Sequence, residues 1–183
     1  MEKIKLREMV FAAMFVALIT VGTFIRIPVG GDFYTLQFLF TLLAGLVLGE
    51  KFGTLSVAAY VLMGLIGIPV FASGGGIGYL FQPTFGYLLG FILQAWFCGK
   101  FSRKISDINF KNLLLINFGG MLIVYVLGMA WFYIVSNFVI DAPIAFWTMF
   151  FYSFILQVVP DGLLCAAAAF LAVRCYKFNL WSH

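Results

Sequence analysis

Residues 146–173 read FWTMFFYSFILQVVPDGLLCAAAAFLAV, and Arg174 follows. The run exceeds the roughly 20 apolar residues that carry a helix across a bilayer core of about 30 Å. One charged side chain interrupts it, Asp161, directly after Pro160. At 1.5 Å per residue, Asp161 lies roughly 20 Å of helix from Arg174. An acid at such depth is costly in hydrocarbon, so it is expected to face the interior of a bundle. Pro160 has no N–H to donate and predicts a kink that exposes further backbone polarity. The competing reading is structural, with Asp161 only capping amides freed at that kink.

Five further apolar stretches lie upstream, at 9–24, 36–48, 54–67, 84–100 and 113–137. Together they predict an all-α integral membrane protein, a bundle of six transmembrane helices. Spans two and three are short, so they are expected to tilt, to borrow flanking residues or to pack inside the bundle. The segment Gly49-Glu50-Lys51-Phe52-Gly53 between them reads as a turn. Residues around Arg26, Pro28 and Gly30-Gly31-Asp32 read as a short outer loop, and Asp141–Pro143 as an outer turn. Residues 68–83 are apolar but rich in Gly and Pro, which argues against a plain helix. With 183 residues, 1–183 form one membrane domain with no separate soluble unit.

The basic residues agree with this count. Of eleven Lys and Arg, all but Arg26 fall in the lead at 1–8, the turn at Lys51, the loop 101–111 with Lys100, or the tail from Arg174. These segments share one side of a six-span arrangement. Positively charged loops stay cytoplasmic, so both termini are expected in the cytoplasm of a prokaryotic cell, with the chain multi-pass in its plasma membrane. Residues are 64% hydrophobic and 10% charged, against about 25% charged in a soluble domain. The net charge of +4 is spread over four segments and reads as topogenic, with no nucleic-acid surface. The first apolar stretch lacks a small-residue cleavage site, so no signal peptide is expected. Cys98, Cys165 and Cys175 have no metal-type spacing and read as packing thiols, and His183 is assigned nothing. No G-x-x-x-x-G-K-[ST] occurs, so the chain has no nucleotide loop of its own.

Four groups are candidates for function. The first is the glycine loop, residues 67–79, GIPVFASGGGIGY, followed by Phe81-Gln82-Pro83-Thr84-Phe85-Gly86-Tyr87. Irregular backbone at membrane depth is tolerated where it lines a cavity. Gly74, Gly75 and Gly76 can present bare backbone groups to a small ligand, with Tyr79, Gln82 and Tyr87 as hydrogen-bonding tips. An ordinary outer loop is the alternative. The second is Asp161, an acceptor suited to a ligand with paired N–H donors. The third is the pair Tyr125 and Trp131, which either wall a pocket or belong to an interfacial aromatic belt. The fourth is Ala13 with Ala17, four apart on one helix face, where a second helix can approach closely. Packing within the bundle would explain that pair as well. No Ser/His/Asp or metal-ligand grouping is present, and no catalytic residue or cofactor is expected.

These residues occur in an order that resembles the BioY family. Thr35-Leu36-Gln37, Gly64-Leu-Ile-Gly-Ile-Pro-Val-Phe71, the glycines beyond it, Pro83-Thr84, Gly86-Tyr87, Gly128-Met-Ala-Trp-Phe132 and Pro160-Asp161 carry the likeness, which spans nearly the whole chain. The resemblance implies a biotin-specific substrate-binding (S) component of an energy-coupling-factor (ECF) transporter, binding biotin from outside. It implies docking through Ala13 and Ala17 onto a transmembrane coupling protein driven by two ATPase subunits, which hold the ATP site this chain lacks. The chain departs from the family pattern at Gln82, where many members have Gly before Pro-Thr, at Phe85-Gly86-Tyr87, where Gly-Gly-Tyr is usual, and at two usually charged positions. Leu164 stands where a lysine is usual, three residues after Asp161, and Leu88 where some members have arginine after the tyrosine. The ligand carboxylate would then need glycine-loop amides, Gln82, or Arg26, the single outer cation. Alternatives are an S component for a related acid such as lipoate, and, in other classes, a membrane enzyme or structural protein centred on Asp161.

Overall fold

The computed structural model describes residues 6–29 and 32–177; Lys3, Lys5, Gly30, Gly31 and His183 lie outside them. Helix α1 is Leu6–Phe24. Strands β1 (Arg26–Val29) and β2 (Asp32–Thr35) follow, then α2 (Gln37–Leu65), a 3-10 turn (Ile77–Phe81), α3 (Phe85–Ser102) and α4 (Phe110–Phe138). The last apolar run divides into α5 (Phe146–Phe150), a π turn (Phe151–Ile155) and α6 (Val158–Lys177). Four helical stretches are long and apolar enough to cross a membrane: Leu6–Phe24, Gln37–Leu65, Phe110–Phe138 and Phe146–Lys177.

The expected spans two and three are the two arms of α2, and the five-residue turn expected between them narrows to one residue. Gly49 breaks the helix with φ 82° and ψ −176°, a region that only glycine occupies readily. The second arm returns along the first. A Cβ added at Gly53 would lie 2.5 Å from the Ala44 carbonyl oxygen. The carbonyls left open at the break are capped from two other helices. The Tyr176 hydroxyl of α6 donates to Leu46 O at 2.7 Å, and the Arg103 guanidinium, one residue past α3, donates to Val47 O at 3.1 Å. Lys51, Lys100, Arg103 and Arg174 thus gather at one end of the bundle.

At the other end two sequence expectations change. The short outer loop is an antiparallel hairpin, pairing Arg26 with Thr35 through Val29 with Asp32. The interruption expected at Pro160 lies earlier, in the π turn and residues 156–157. Pro160 sits in the first turn of α6, where its missing N–H costs no helix bond. Helix α4 starts on Asn109, whose Oδ1 accepts the Asn112 N–H at 2.9 Å.

The interior is held by apolar packing and a few polar ties. Leu42, Leu46, Val57, Leu113 and Ala168 are fully buried. Thr41 Oγ1 donates to Gln94 Oε1 at 3.1 Å, joining α2 to α3, and Asn117 Nδ2 donates to the Cys165 carbonyl at 2.9 Å, joining α4 to α6. Within lipid such bonds between helices contribute about 0.6–2 kcal/mol each.

Candidate functional site

A cavity of about 510 Å3 opens between the hairpin end of the bundle and its centre. That size suits a small-molecule ligand. Phe38, Phe71, Leu88, Phe91, Val124, Phe132 and Met149 make its apolar walls, and among the described residues Asp161 is the one charged residue lining it. Polar groups reach it from two sides. From α3, α4 and the last helical run come Tyr87, Tyr125, Ser153, Gln157 and Asp161. From the strand, α2 and the loop after it come Thr35, Gln37, Tyr60, Ser73 and Tyr79.

Asp161 is held in place before any ligand arrives. The Tyr125 hydroxyl donates to its Oδ2 at 2.7 Å, and the Tyr125 ring rests edge-on against Phe154, centroids 5.3 Å apart. One carboxyl oxygen is therefore used internally and the other remains for a donor in the cavity. Tyr87 lies flat on α4 because Gly128 has no side chain; a Cβ there would meet its ring at 2.3 Å.

On the opposite wall Tyr60 is the organiser. Its hydroxyl donates to the Val70 carbonyl at 2.9 Å, accepts from Gln37 Nε2 at 3.2 Å, and lies 3.1 Å from Thr23 Oγ1. The Phe71 ring stands edge-on to Tyr60 at 5.6 Å and packs on Tyr79 at 4.5 Å. These contacts press the loop after α2 onto the bundle, so a Gly- and Pro-rich segment becomes a defined wall.

The residues expected from sequence separate in position. Tyr79, Tyr87, Tyr125 and Asp161 line the cavity together. Gly74, Gly75 and Gly76 are not among its lining residues. Their backbone shapes the loop: the Gly74 N–H bonds Phe71 O at 3.1 Å, and the Gly76 N–H bonds Gly64 O at 2.7 Å. Gly75 passes so close to the Ile68 carbonyl that a Cβ would lie 2.4 Å from it. Ala72 and Ser73 are the members of that turn that reach the cavity. Gln82 is exposed and apart from the lining. Trp131 packs edge-on against Phe85 at 5.6 Å, while its neighbour Phe132 lines the cavity. Arg26 donates to the Ala72 carbonyl, which puts its guanidinium at the rim. Ala13 and Ala17 are exposed on a second, apolar groove of about 700 Å3 between α1 and the second arm of α2, with Phe52, Leu55 and Ala59 opposite.

The sequence reading did not single out Gln37, Tyr60, Ser153 or Gln157 as site residues. Each is an isolated polar residue at or within an apolar span, and that isolation is the signal that marks them.

A model described as the BioY family matches residues 1–179. The chain is 39% identical over 170 residues to a probable biotin transporter BioY of Lysinibacillus sphaericus, covering 93% of this chain and 87% of that protein. It is 46% identical over 124 residues to the biotin transporter BioY of Thermotoga maritima, covering 67% and 72%. Among solved structures, the S-component for biotin from an ECF-type ABC transporter matches with a TM-score of 0.80 and 25% identity, over 94% of this chain and 92% of that one. The chain belongs to the BioY family.

Proposed function

We propose that this protein is the biotin-binding S component of an ECF transporter, a binding protein without catalytic chemistry of its own. The observation that carries the reading is a cavity with aromatic and apolar walls whose charged lining residue, Asp161, is pre-positioned by Tyr125. Biotin presents an apolar fused ring, two ureido N–H donors with one carbonyl, and a carboxylate tail. The ring suits the walls. One ureido N–H suits the open oxygen of Asp161, where a charged acceptor in a dry site gives a strong hydrogen bond. The carboxylate suits the rim, where the Arg26 guanidinium and the Ser73 hydroxyl stand with Tyr79 close by. This arrangement keeps the ligand's anion away from Asp161 and needs no lysine at the position of Leu164.

The transport reading adds orientation and partners. The two arms of α2, each taken as a crossing, together with α3 bring the crossings to six, with both termini and the basic end of the bundle in the cytoplasm. The cavity then faces outward. The groove carrying Ala13 and Ala17 is apolar and carries small side chains that permit close helix packing, and suits docking to a transmembrane coupling protein driven by two ATPase subunits.

Calorimetric titration of the purified protein in detergent with biotin, and with lipoate in parallel, tests the cargo. Saturable biotin binding in the nanomolar range, on the order of −12 kcal/mol, is expected, with weaker or no lipoate binding. A folded protein that ignores biotin would remove the assignment.

A further inference from the structure

Asp161 meets only half of a urea. A cyclic urea presents two N–H donors beside a carbonyl acceptor, and a carboxylate can satisfy only the donors. A buried carbonyl left without a donor weakens binding substantially. Tyr125 already gives its proton to Asp161. Leu164 and Leu88 have nothing to donate.

The π turn supplies what is missing. Met149, Ser153, Gln157 and Asp161 follow one another at intervals of four, and all four line the cavity. In an uninterrupted α-helix, positions four apart drift by roughly 40° per step, so the first and last would stand about 120° apart. The turn Phe151–Ile155 holds about one residue more than an α turn; the Leu156 N–H reaches back five residues to Phe151 O at 3.3 Å. The wider turn takes back part of the drift and keeps the four residues on one stripe. Gln157 stands directly before Asp161 on that stripe, its own carbonyl accepting the Asp161 N–H at 3.1 Å. Among the described residues its side-chain amide has no hydrogen-bond partner, and it faces the cavity.

We infer that Gln157 is a specificity-determining residue that donates its amide N–H to the ureido carbonyl, so that Asp161 and Gln157 together read a complete urea edge. This rests on the biotin-binding reading above. A cyclic guanidine carries an N–H group where urea has its oxygen, and meets an acceptor at Gln157 only when that amide turns over.

The test is calorimetric titration of wild type, Gln157→Met and Gln157→Glu with biotin, with desthiobiotin (same urea, no thioether) and with 2-iminobiotin (a cyclic guanidine). Thermal unfolding of each variant in detergent checks folding. Gln157→Met is expected to weaken biotin and desthiobiotin alike, by roughly tenfold or more. Gln157→Glu is expected to weaken both further and to tighten 2-iminobiotin, inverting the preference. Folded variants that bind all three ligands as wild type does would overturn the inference while leaving the biotin reading intact. So would a loss of biotin and desthiobiotin affinity that appears in Tyr87→Phe and not in Gln157→Met, since the donor would then be Tyr87. Wild-type protein that binds neither biotin nor desthiobiotin would overturn both.

Discussion

Asp161 sits where an acid has little water to solvate it, and the bond from Tyr125 meets only one of its oxygens. Replacing it by Asn keeps the shape but exchanges one acceptor for a donor that opposes a ureido N–H. Asp161→Asn is expected to weaken biotin binding by about 10- to 100-fold with the fold retained, the scale of a hydrogen bond to a charged group. Tyr125→Phe frees the carboxyl without removing it, so a smaller loss, roughly fivefold, is expected in the same titration. Equal losses in the two variants would mean that the pair acts as one rigid unit. Asp161 was legible in the sequence because a lone acid in the longest apolar run has few structural excuses. Gln157 and Tyr60 were harder to read. An uncharged polar residue in a span is cheap enough to be incidental, and only its position on the cavity stripe separates it from one that is.

Among the elements, the broken ones carry most of the information. Spans two and three looked short because a single glycine, and not a loop, turns the chain between them, so few residues are spent on the turn. Gly49→Ala would force a side chain into a backbone region that glycine alone tolerates; a stability loss of about 1–3 kcal/mol is expected, read as a lower Tm in detergent. The hairpin escaped the sequence reading although Gly30-Gly31 lies between its paired residues, a recognised two-residue hairpin signal. The π turn had no signature, since its extra residue is visible only as hydrogen bonding. Deleting Ile155 should remove the extra residue and restore an ordinary helix, leaving Ser153 and Met149 seven and eleven residues before the acid, each within about 20° of it. Biotin affinity should therefore survive the deletion; a large loss with the unfolding transition intact would show that the wider turn does more than absorb one residue. Helix α1 tests separately. Ala13→Trp or Ala17→Trp puts bulk into the groove and leaves the cavity untouched, so vesicle uptake should stop while biotin titration is unchanged. Normal uptake by both variants would assign the docking face elsewhere.

For the molecule as a whole, the asymmetry of its basic residues sums over ten side chains and does not depend on where any one helix ends. Its direction can be checked with the thiols. Cys98 and Cys165 are buried and Cys175, near the basic end, is half-buried, so it is the thiol open to a membrane-impermeant maleimide. Labelling is expected in inverted vesicles and not in intact cells; the opposite pattern would reverse the orientation. The cavity has a further property that follows from what lies beneath it. Below Phe91 and Val124 the bundle closes over Leu42, Leu46, Ala95, Leu113 and Ala168, all fully buried, with the Thr41–Gln94 and Asn117–Cys165 bonds stitching the helices together. Among the described residues the cavity is therefore a cup, its floor made of side chains packed to zero exposure and its walls tied to one another through that floor.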